Sequence, residues 1–418
     1  MVEVALRDGP SGPLAGAASV IRSTLADLVA RDSASFQSGT RAWVQSERKF
    51  YQLDTSAPLT PFSPLIIARP GQSAVVNGAV AAPSARSGAW YRESRAFVVA
   101  NYTLWVAGFN SKNYALGYTP GQLLASGVVQ ADIVLTSIDN SNSSICCVVD
   151  GNGNLWWNIE GGANRAVQKI ALLDTLQSGT PVPVVKLDPA NTSTCHAFDK
   201  WNSLWVSIGA AAYKKYTAAQ YGNSGAPTPQ INVQPQLVTG AESFIFFDDA
   251  NNLWSSSFSM SSISMLADSQ LRTSSVLTER PTVVWSGANV AGTGGIAMGP
   301  TGLLWAAQYV GGAGTVKAYD PTNPSSSNPA VVINLTSTSF VGVWDVAFDR
   351  AGNLWVLNFD NGHLLRIPAA SLAASGAVVP DVDVTITTPT GALSSPEGMN
   401  FSQNPNRSGL LVSGGPPV

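Results

Sequence analysis

Charge is scarce in this sequence: charged residues make up 12% of its 418 positions, about half the usual share. The 23 Lys and Arg stand against 26 Asp and Glu, a net charge of −3. No basic block occurs, which excludes the electrostatic footprint of a nucleic-acid binder. Histidine is rarer still. The two present, His196 and His363, exclude any mechanism that needs a histidine cluster and any zinc site of the usual His/Cys spacing. There are three cysteines, Cys146, Cys147 and Cys195. An odd count with two of them adjacent argues against a disulfide framework and for reduced, small apolar roles. Long apolar runs are missing too, each being broken by Ser, Asn or Asp, so no membrane span is expected. The first residues lack a basic stretch followed by an apolar run, so no secretory signal is expected either.

What the chain has is apolar material and turns. Hydrophobic residues reach 45%, which excludes a charge-rich disordered chain, and the length allows two or three domains. With 38 Gly and 26 Pro, the composition favours many short strands over long helices.

A Leu-Trp pair recurs along the chain. The tryptophans are Trp105, Trp156, Trp205, Trp254, Trp305 and Trp355, at spacings of 51, 49, 49, 51 and 50 by subtraction. Seven residues before each stand Val98, Val149, Phe198, Phe247, Met298 and Phe348, and nine before stand Ala96, Cys147, His196, Ile245, Ile296 and Val346. Positions two apart share one face of a strand. Six before the Trp, Asp150, Asp199, Asp248 and Asp349 open short Gly/Asn stretches, which is hairpin-turn chemistry. Two further strands follow in each unit, at 315–319 and 330–335 in the fifth and at 363–367 and 381–386 in the sixth. Four antiparallel strands per unit of about fifty residues specify a β-propeller blade.

A shortened seventh unit follows, at 398–401 and 409–412, with Leu411 in place of the Trp. The fold expected is therefore all-β: a seven-bladed propeller closed by strands from the other terminus, with six blades as the alternative. The blades resemble those of NHL-repeat and virginiamycin B lyase-type propellers, with a D-x-x-G-N-L-W-V pattern whose best copies run over 150–156 and 349–356. The resemblance spans about 94–418 and implies a fold rather than an activity.

Upstream, residues 1–37 read as an arm and a helix over 12–32, in which Ile21, Leu25 and Leu28 share a face. Residues 38–93 read as a small β module that could complete the last blade. Its strands are expected at 40–45, 49–53, 64–68 and 88–92, and its Gly/Ala/Ser/Pro stretch over 70–88 reads as a flexible loop. Three pieces, Gly39-Thr40 to Val44, Phe50-Tyr-Gln-Leu-Asp54 and Gly88-Ala-Trp-Tyr-Arg92, resemble a module of tailed-phage and prophage structural proteins.

Candidate chemistry is sparse. The lyase resemblance implies a catalytic His beside Mg²⁺ near the channel. His196, however, stands in an apolar column and is expected buried, His363 is expected in an exposed turn, and neither has a matching acidic neighbour in the sequence. That mechanism therefore does not carry over, and no catalytic residue or cofactor is assigned. Lactonase-type propellers hold a divalent metal with oxygen ligands. Glu397 and Asp345, near the starts of innermost strands, are the candidates here. The run 150–154 echoes a calcium loop, but Leu155 stands where Gly is needed and no Glu occupies the twelfth place. Cys146 and Cys195 each lie ten before their Trp, at the position of Phe244 and Gly295. They are expected to approach each other as buried free thiols rather than as a redox pair. The repeated tryptophans are expected in inter-blade cores, while Trp157, Trp201 and Trp344 break the repeat and are candidates for exposed contacts.

The expected function is a non-enzymatic structural or adhesive component of a phage or phage-like particle, decorating tail, head or fibre, with the propeller as an interaction platform. Partners would be other virion proteins and further copies of the chain, with a host surface receptor as a further candidate. The location would be the virion, assembled in the host cytoplasm. The alternatives are a lyase or lactonase with a divalent metal, and a glycan- or protein-binding surface propeller.

Overall fold

The computed structural model describes most of residues 104–401, excepting chiefly 109–113, 139–143, 160–165 and 237–243. Upstream it describes the backbone of short strands between 19 and 92. The chain divides into two units, 1–98 and 99–418.

In the first unit Ser19–Arg22, Arg41–Val44, Lys49–Asp54 and Ala89–Arg92 form one sheet in that order. The three pieces of the sequence motif thus supply three adjacent strands. The helix expected over 12–32 is corrected at 19–22, which pairs in parallel with Arg41–Val44. Val20 and Ile21 are β-branched, and pairing with a neighbouring strand outweighs a weak helical periodicity. The loop expected over 70–88 contains a hairpin, Ala74–Val76 with Ala79–Ala81. Asn77-Gly78 lies between its strands, and that dipeptide is the strongest short-range hairpin signal. The strand expected at 64–68 lies outside the described residues.

The second unit is a β-propeller of six antiparallel blades among the described residues. Blade two runs from its inner strand outward as Cys147–Val149, Leu155–Ile159, Ala166–Ile170 and Val185–Leu187. Blade three is Ser193–Phe198, Leu204–Ile208, Ala212–Tyr216 and Ile231–Gln234, and blade four is Phe244–Phe247, Leu253–Ser257, Ser262–Leu266 and Val283–Ser286. Blade five is Thr293–Met298, Leu304–Val310, Ala313–Tyr319 and Val331–Thr336. Blade six is Val343–Phe348, Leu354–Asn358, His363–Ile367 and Val382–Thr388.

Blade one closes the ring from both ends of this unit. Its inner strand is Pro396–Phe401, followed outward by Leu104–Gly108, Tyr114–Tyr118 and Ile133–Thr136. The separate seventh blade expected from 398 onward does not form among the described residues, because that strand pairs with Leu104–Gly108. Among the described residues this sheet takes its strands from 104–136 and 396–401. Phe401 and Met399, opposite Leu104 and Val106, occupy the places the spacing assigned to Val98 and Ala96. Residues 409–412 lie outside the described residues.

The repeat columns explain one another. Each second strand is buried along its whole length in blades one to four and six, because a blade packs between two neighbours. All six repeated tryptophans are at most 2% exposed. The Trp of one blade meets the aromatic seven before the Trp of the next: Trp156–Phe198 at 5.7 Å, Trp205–Phe247 at 5.9 Å, Trp305–Phe348 at 5.9 Å and Trp355–Phe401 at 6.1 Å between ring centroids. Such pairs contribute about 0.5–1.5 kcal/mol beyond burial.

The Asp six before the Trp organises the hairpin. In blades two, three, four and six the indole Nε1 donates to Asp150, Asp199, Asp248 and Asp349 at 2.9, 3.0, 2.9 and 3.0 Å. The other carboxylate oxygen accepts the backbone N–H four residues on, from Asn154, Ser203, Asn252 and Asn353. In blades two to six the position three before the Trp has φ between 59° and 81°, and Gly153, Asn202, Asn251, Gly302 and Gly352 fill it, the residue types that tolerate a left-handed backbone. Blade five departs from the pattern: Gly299 replaces the Asp, and Trp305 Nε1 has no partner among the described residues.

The outer edges are covered in sequence around the ring. A serine in the connection before each outer strand accepts an N–H from the outer strand of the preceding blade. The bonds are Val134 to Ser178, Lys186 to Ser224, Asn232 to Ser274, Asn334 to Ser375 and Asp383 to Ser126, at 2.9–3.0 Å. In blade four Ser286 N donates to the Ser327 carbonyl. Every outer strand is thus met by the next blade, which blunts the exposed edges that otherwise promote aggregation.

Candidate functional site

The inner strands carry the candidate residues in one column. Cys146, Cys195, Phe244, Gly295 and Asp345 stand ten before the Trp in blades two to six, and Gly398 takes the equivalent place in blade one. All are buried, and the four larger side chains besides the glycines are at most 3% exposed.

Asp345 is a tie between blades. One carboxylate oxygen accepts Val346 N–H at 2.8 Å, and the other accepts Met399 N–H of blade one at 2.8 Å. Gly295 gives it room, since a Cβ there would lie 1.7 Å from Asp345 Oδ1. Glu397, also buried, lies on the adjacent strand two residues from Met399. The two metal candidates therefore sit on neighbouring inner strands, with Asp345 engaged by backbone donors. No group of three or more His, Cys, Asp or Glu able to hold a metal occurs among the described residues.

His196 is fully buried, as its column predicts. Neither ring nitrogen has a hydrogen-bond partner among the described residues. Burial lowers its pKa from 6.5 to about 4, and the nearby Trp156 backbone offsets part of that effect. A sealed, neutral imidazole cannot exchange protons with a substrate. His363 corrects the expectation of no acidic neighbour: its Nδ1 lies 2.6 Å from Asp383 Oδ1. The two are twenty residues apart in sequence and meet across the outer strands of blade six. The site is half-exposed and lies away from the inner strands.

Cys146 and Cys195 do approach each other. Both are buried free thiols, as is Cys147, and burial pushes the Cys146 thiol well above its ordinary pKa.

The three non-repeat tryptophans separate. Trp157 is fully buried, which corrects its reading as an exposed contact. It lies on a second strand that has a blade on each side, and its Nε1 donates to Ser144 Oγ. Trp201 is 54% exposed in the hairpin turn of blade three. Lys200 Nζ and Lys215 Nζ lie 4.6 and 5.3 Å from its ring centroid, within cation–π range. Trp344 begins the inner strand of blade six, at the opposite end of the ring from that turn.

Trp344 is the centre of an aromatic shelf. Phe258 lies 4.8 Å from it, Phe359 5.2 Å and Tyr309 6.2 Å between centroids. All four rings are half-buried, and Met260 and Val310 beside them in sequence are 48% and 59% exposed. The buried Trp344 Nε1 has no partner among the described residues. Phe258, Tyr309 and Phe359 each stand four residues after a repeated Trp. That periodic signal runs through blades four, five and six, and sequence reasoning passed over it. The shelf offers apolar ring faces and a phenol, a combination suited to binding rather than to bond cleavage.

No protein-family model matches the chain, and no curated protein matches it in sequence. Solved propellers are similar in structure. Virginiamycin B lyase from Staphylococcus aureus shares 14% identity at a TM-score of 0.40, covering 59% of this chain and 71% of the lyase. A protein of unknown function from Bacteroides caccae shares 9% at 0.49, covering 72% and 98%. The WD40 β-propeller domain of Doa1 shares 10% at 0.46, covering 73% and 90%. These likenesses are of fold, and the chain's own strand order places it among β-propellers.

Proposed function

We propose that this protein is a non-enzymatic interaction propeller, a structural or adhesive component of a phage or phage-like particle. The N-terminal module would anchor it, and the face bearing the Trp344 shelf would meet a partner. The observation that carries the reading is how the polar chemistry is used. Asp150, Asp199, Asp248 and Asp349 hold tryptophans, Asp345 ties two blades, and His196 is sealed. Against this, a half-exposed aromatic cluster stands at one end of the ring. Aromatic residues in such positions are the usual energetic anchors of protein interfaces. The particle assignment rests on the sequence motif of the N-terminal module, whose three pieces form adjacent strands.

The test has two parts. Particles purified from the native lysate should contain the chain by mass spectrometry; a chain found free in the lysate and absent from particles overturns the particle assignment. Trp344→Ala should leave folding and particle incorporation intact while weakening adsorption to host cells. Truncating an anchor of about 2 kcal/mol lowers affinity roughly thirtyfold. Unchanged adsorption would remove the shelf from the contact.

A further inference from the structure

The geometry points to Cys146 and Cys195 as a disulfide site, a covalent staple between blades two and three that closes on oxidation. The two residues occupy the same repeat position on adjacent inner strands, 49 residues apart. Their sulfurs lie 2.7 Å from each other, about 0.7 Å beyond the length of an S–S bond. Each backbone is held by its own blade. Asn158 Oδ1 accepts Cys146 N–H at 2.7 Å, and Ser207 Oγ accepts Cys195 N–H at 3.0 Å while donating to the Cys195 carbonyl at 3.1 Å. Asn158 and Ser207 both stand two residues after a repeated Trp, so the same device aims both thiols. Both sulfurs also approach the His196 carbonyl, at 3.7 and 3.8 Å. Bonding needs little more than the closure of that short gap. Cys147, the first residue of the inner strand, follows Cys146 directly, and successive side chains of extended chain point to opposite faces, so the pairing is specific to Cys146.

The oxidant is a small-molecule disulfide, such as oxidised glutathione. One protein thiolate attacks it, forming a mixed disulfide and expelling one glutathione thiolate. The second protein thiolate then attacks the protein sulfur of that mixed disulfide, forming the Cys146–Cys195 bond and expelling the second glutathione. Two protein thiols lose two protons and two electrons, and one glutathione disulfide becomes two thiols. Burial and the raised Cys146 pKa make this exchange slow in the closed ring. The bond forms when blades two and three open transiently or as they first dock, and once formed it is shielded from reductant.

The experiment uses the full chain. It is unfolded and refolded with oxidised glutathione or with excess reductant, then alkylated under denaturing conditions and examined by intact mass and peptide mapping. Refolding with the oxidant should leave one alkylatable thiol per chain, with a mapped Cys146–Cys195 cross-link. Its melting temperature should exceed that of the reduced protein by about 5 °C, as expected for closing a loop of this length. Cys147→Ser should retain the cross-link with no free thiol, and Cys195→Ser should lose it. Three free thiols after oxidative refolding, a link mapped to Cys147, or a link between chains would each overturn the proposal. The thiol count on the unaltered chain decides the matter even if a serine variant fails to fold.

Discussion

Replacing Asp199 by alanine removes one acceptor from four donors at once. The carboxylate takes Trp205 Nε1 at 3.0 Å, the N–H groups of Trp201 and Ser203 at 3.0 and 2.8 Å, and Lys215 Nζ at 3.0 Å. Of the two backbone donors, Trp201 N–H lies in an exposed turn where water can replace the carboxylate, whereas Ser203 N–H is buried. Trp205 Nε1 cannot recover in that way, because its side chain is 1% exposed; a stranded buried donor costs about 1–3 kcal/mol. Lys215 is 13% exposed in its side chain, and losing a charged partner there adds about 1.5–3 kcal/mol. These overlap, so we expect a total loss of about 3–5 kcal/mol, or roughly 6–10 °C in the melting of so large a unit. Guanidinium unfolding followed by tryptophan fluorescence measures it as a lower midpoint at unchanged slope. Asp199→Asn keeps an acceptor oxygen and should lose less than half as much. In the double variant Asp199→Ala with Trp205→Phe, the two losses should fall short of additivity by about 1–2 kcal/mol, since no indole N–H remains to be stranded. A loss below 1 kcal/mol for Asp199→Ala, or strict additivity in the double variant, would refute the argument that this column exists to satisfy the tryptophan.

The other predictions concern the two places where a repeat column breaks its own rule. His196 has its folded pKa lowered to about 4 from 6.5 by burial, so the unfolded chain binds the proton first as acid is added. Its contribution is intact above pH 6.5 and is lost as the pH falls towards 4, by roughly 3 kcal/mol. His196→Ile, which copies Ile245 and Ile296 at the same position, should remove that part of the acid sensitivity; parallel stability–pH curves for the two proteins would disprove it. At Gly299 a Cβ would stand 2.6 Å from Trp305 Nε1 and 3.1 Å from Phe348 Cζ. Gly299→Ala should therefore lower stability by about 1–3 kcal/mol through overcrowding, and a melting point equal to or above the parent's would contradict this.

Much of the propeller is legible in the sequence because one physical demand recurs six times. A strand buried on both faces reads Leu-Trp, a tight turn reads Asp then Gly or Asn, and both repeat at a fixed spacing. The expected strand at 363–367 is the observed His363–Ile367. Closure was not legible. Val98 and Ala96 satisfy the apolar columns before Trp105 as well as any other copy, and spacing alone does not say that Phe401 and Met399 take those places instead. The serine contacts between blades escaped for a different reason. Ser126, Ser178, Ser224, Ser274 and Ser375 lie 19 to 22 residues after their tryptophans, a drift that a fixed-period search does not register. Trp157 breaks the repeat, yet both faces of its strand are covered, so departure from the pattern does not mark exposure. His363 and Asp383 show the limit for chemistry, since their contact depends on strand register rather than on any local motif.

The pairing of Pro396–Phe401 with Leu104–Gly108 has a consequence for the order of events in folding. Blades two to six are each built from consecutive chain and can form and stack as synthesis proceeds. Blade one cannot. Its second strand emerges among the first of the ring and waits nearly 300 residues for its inner neighbour, so the largest loop-closure entropy in the fold falls on a single late step. Until that step the ring stays open between blade six and the three strands of blade one already made. The buried Asp345 carboxylate reaches across to Met399 at that junction, and acts as the latch that the last strand must find.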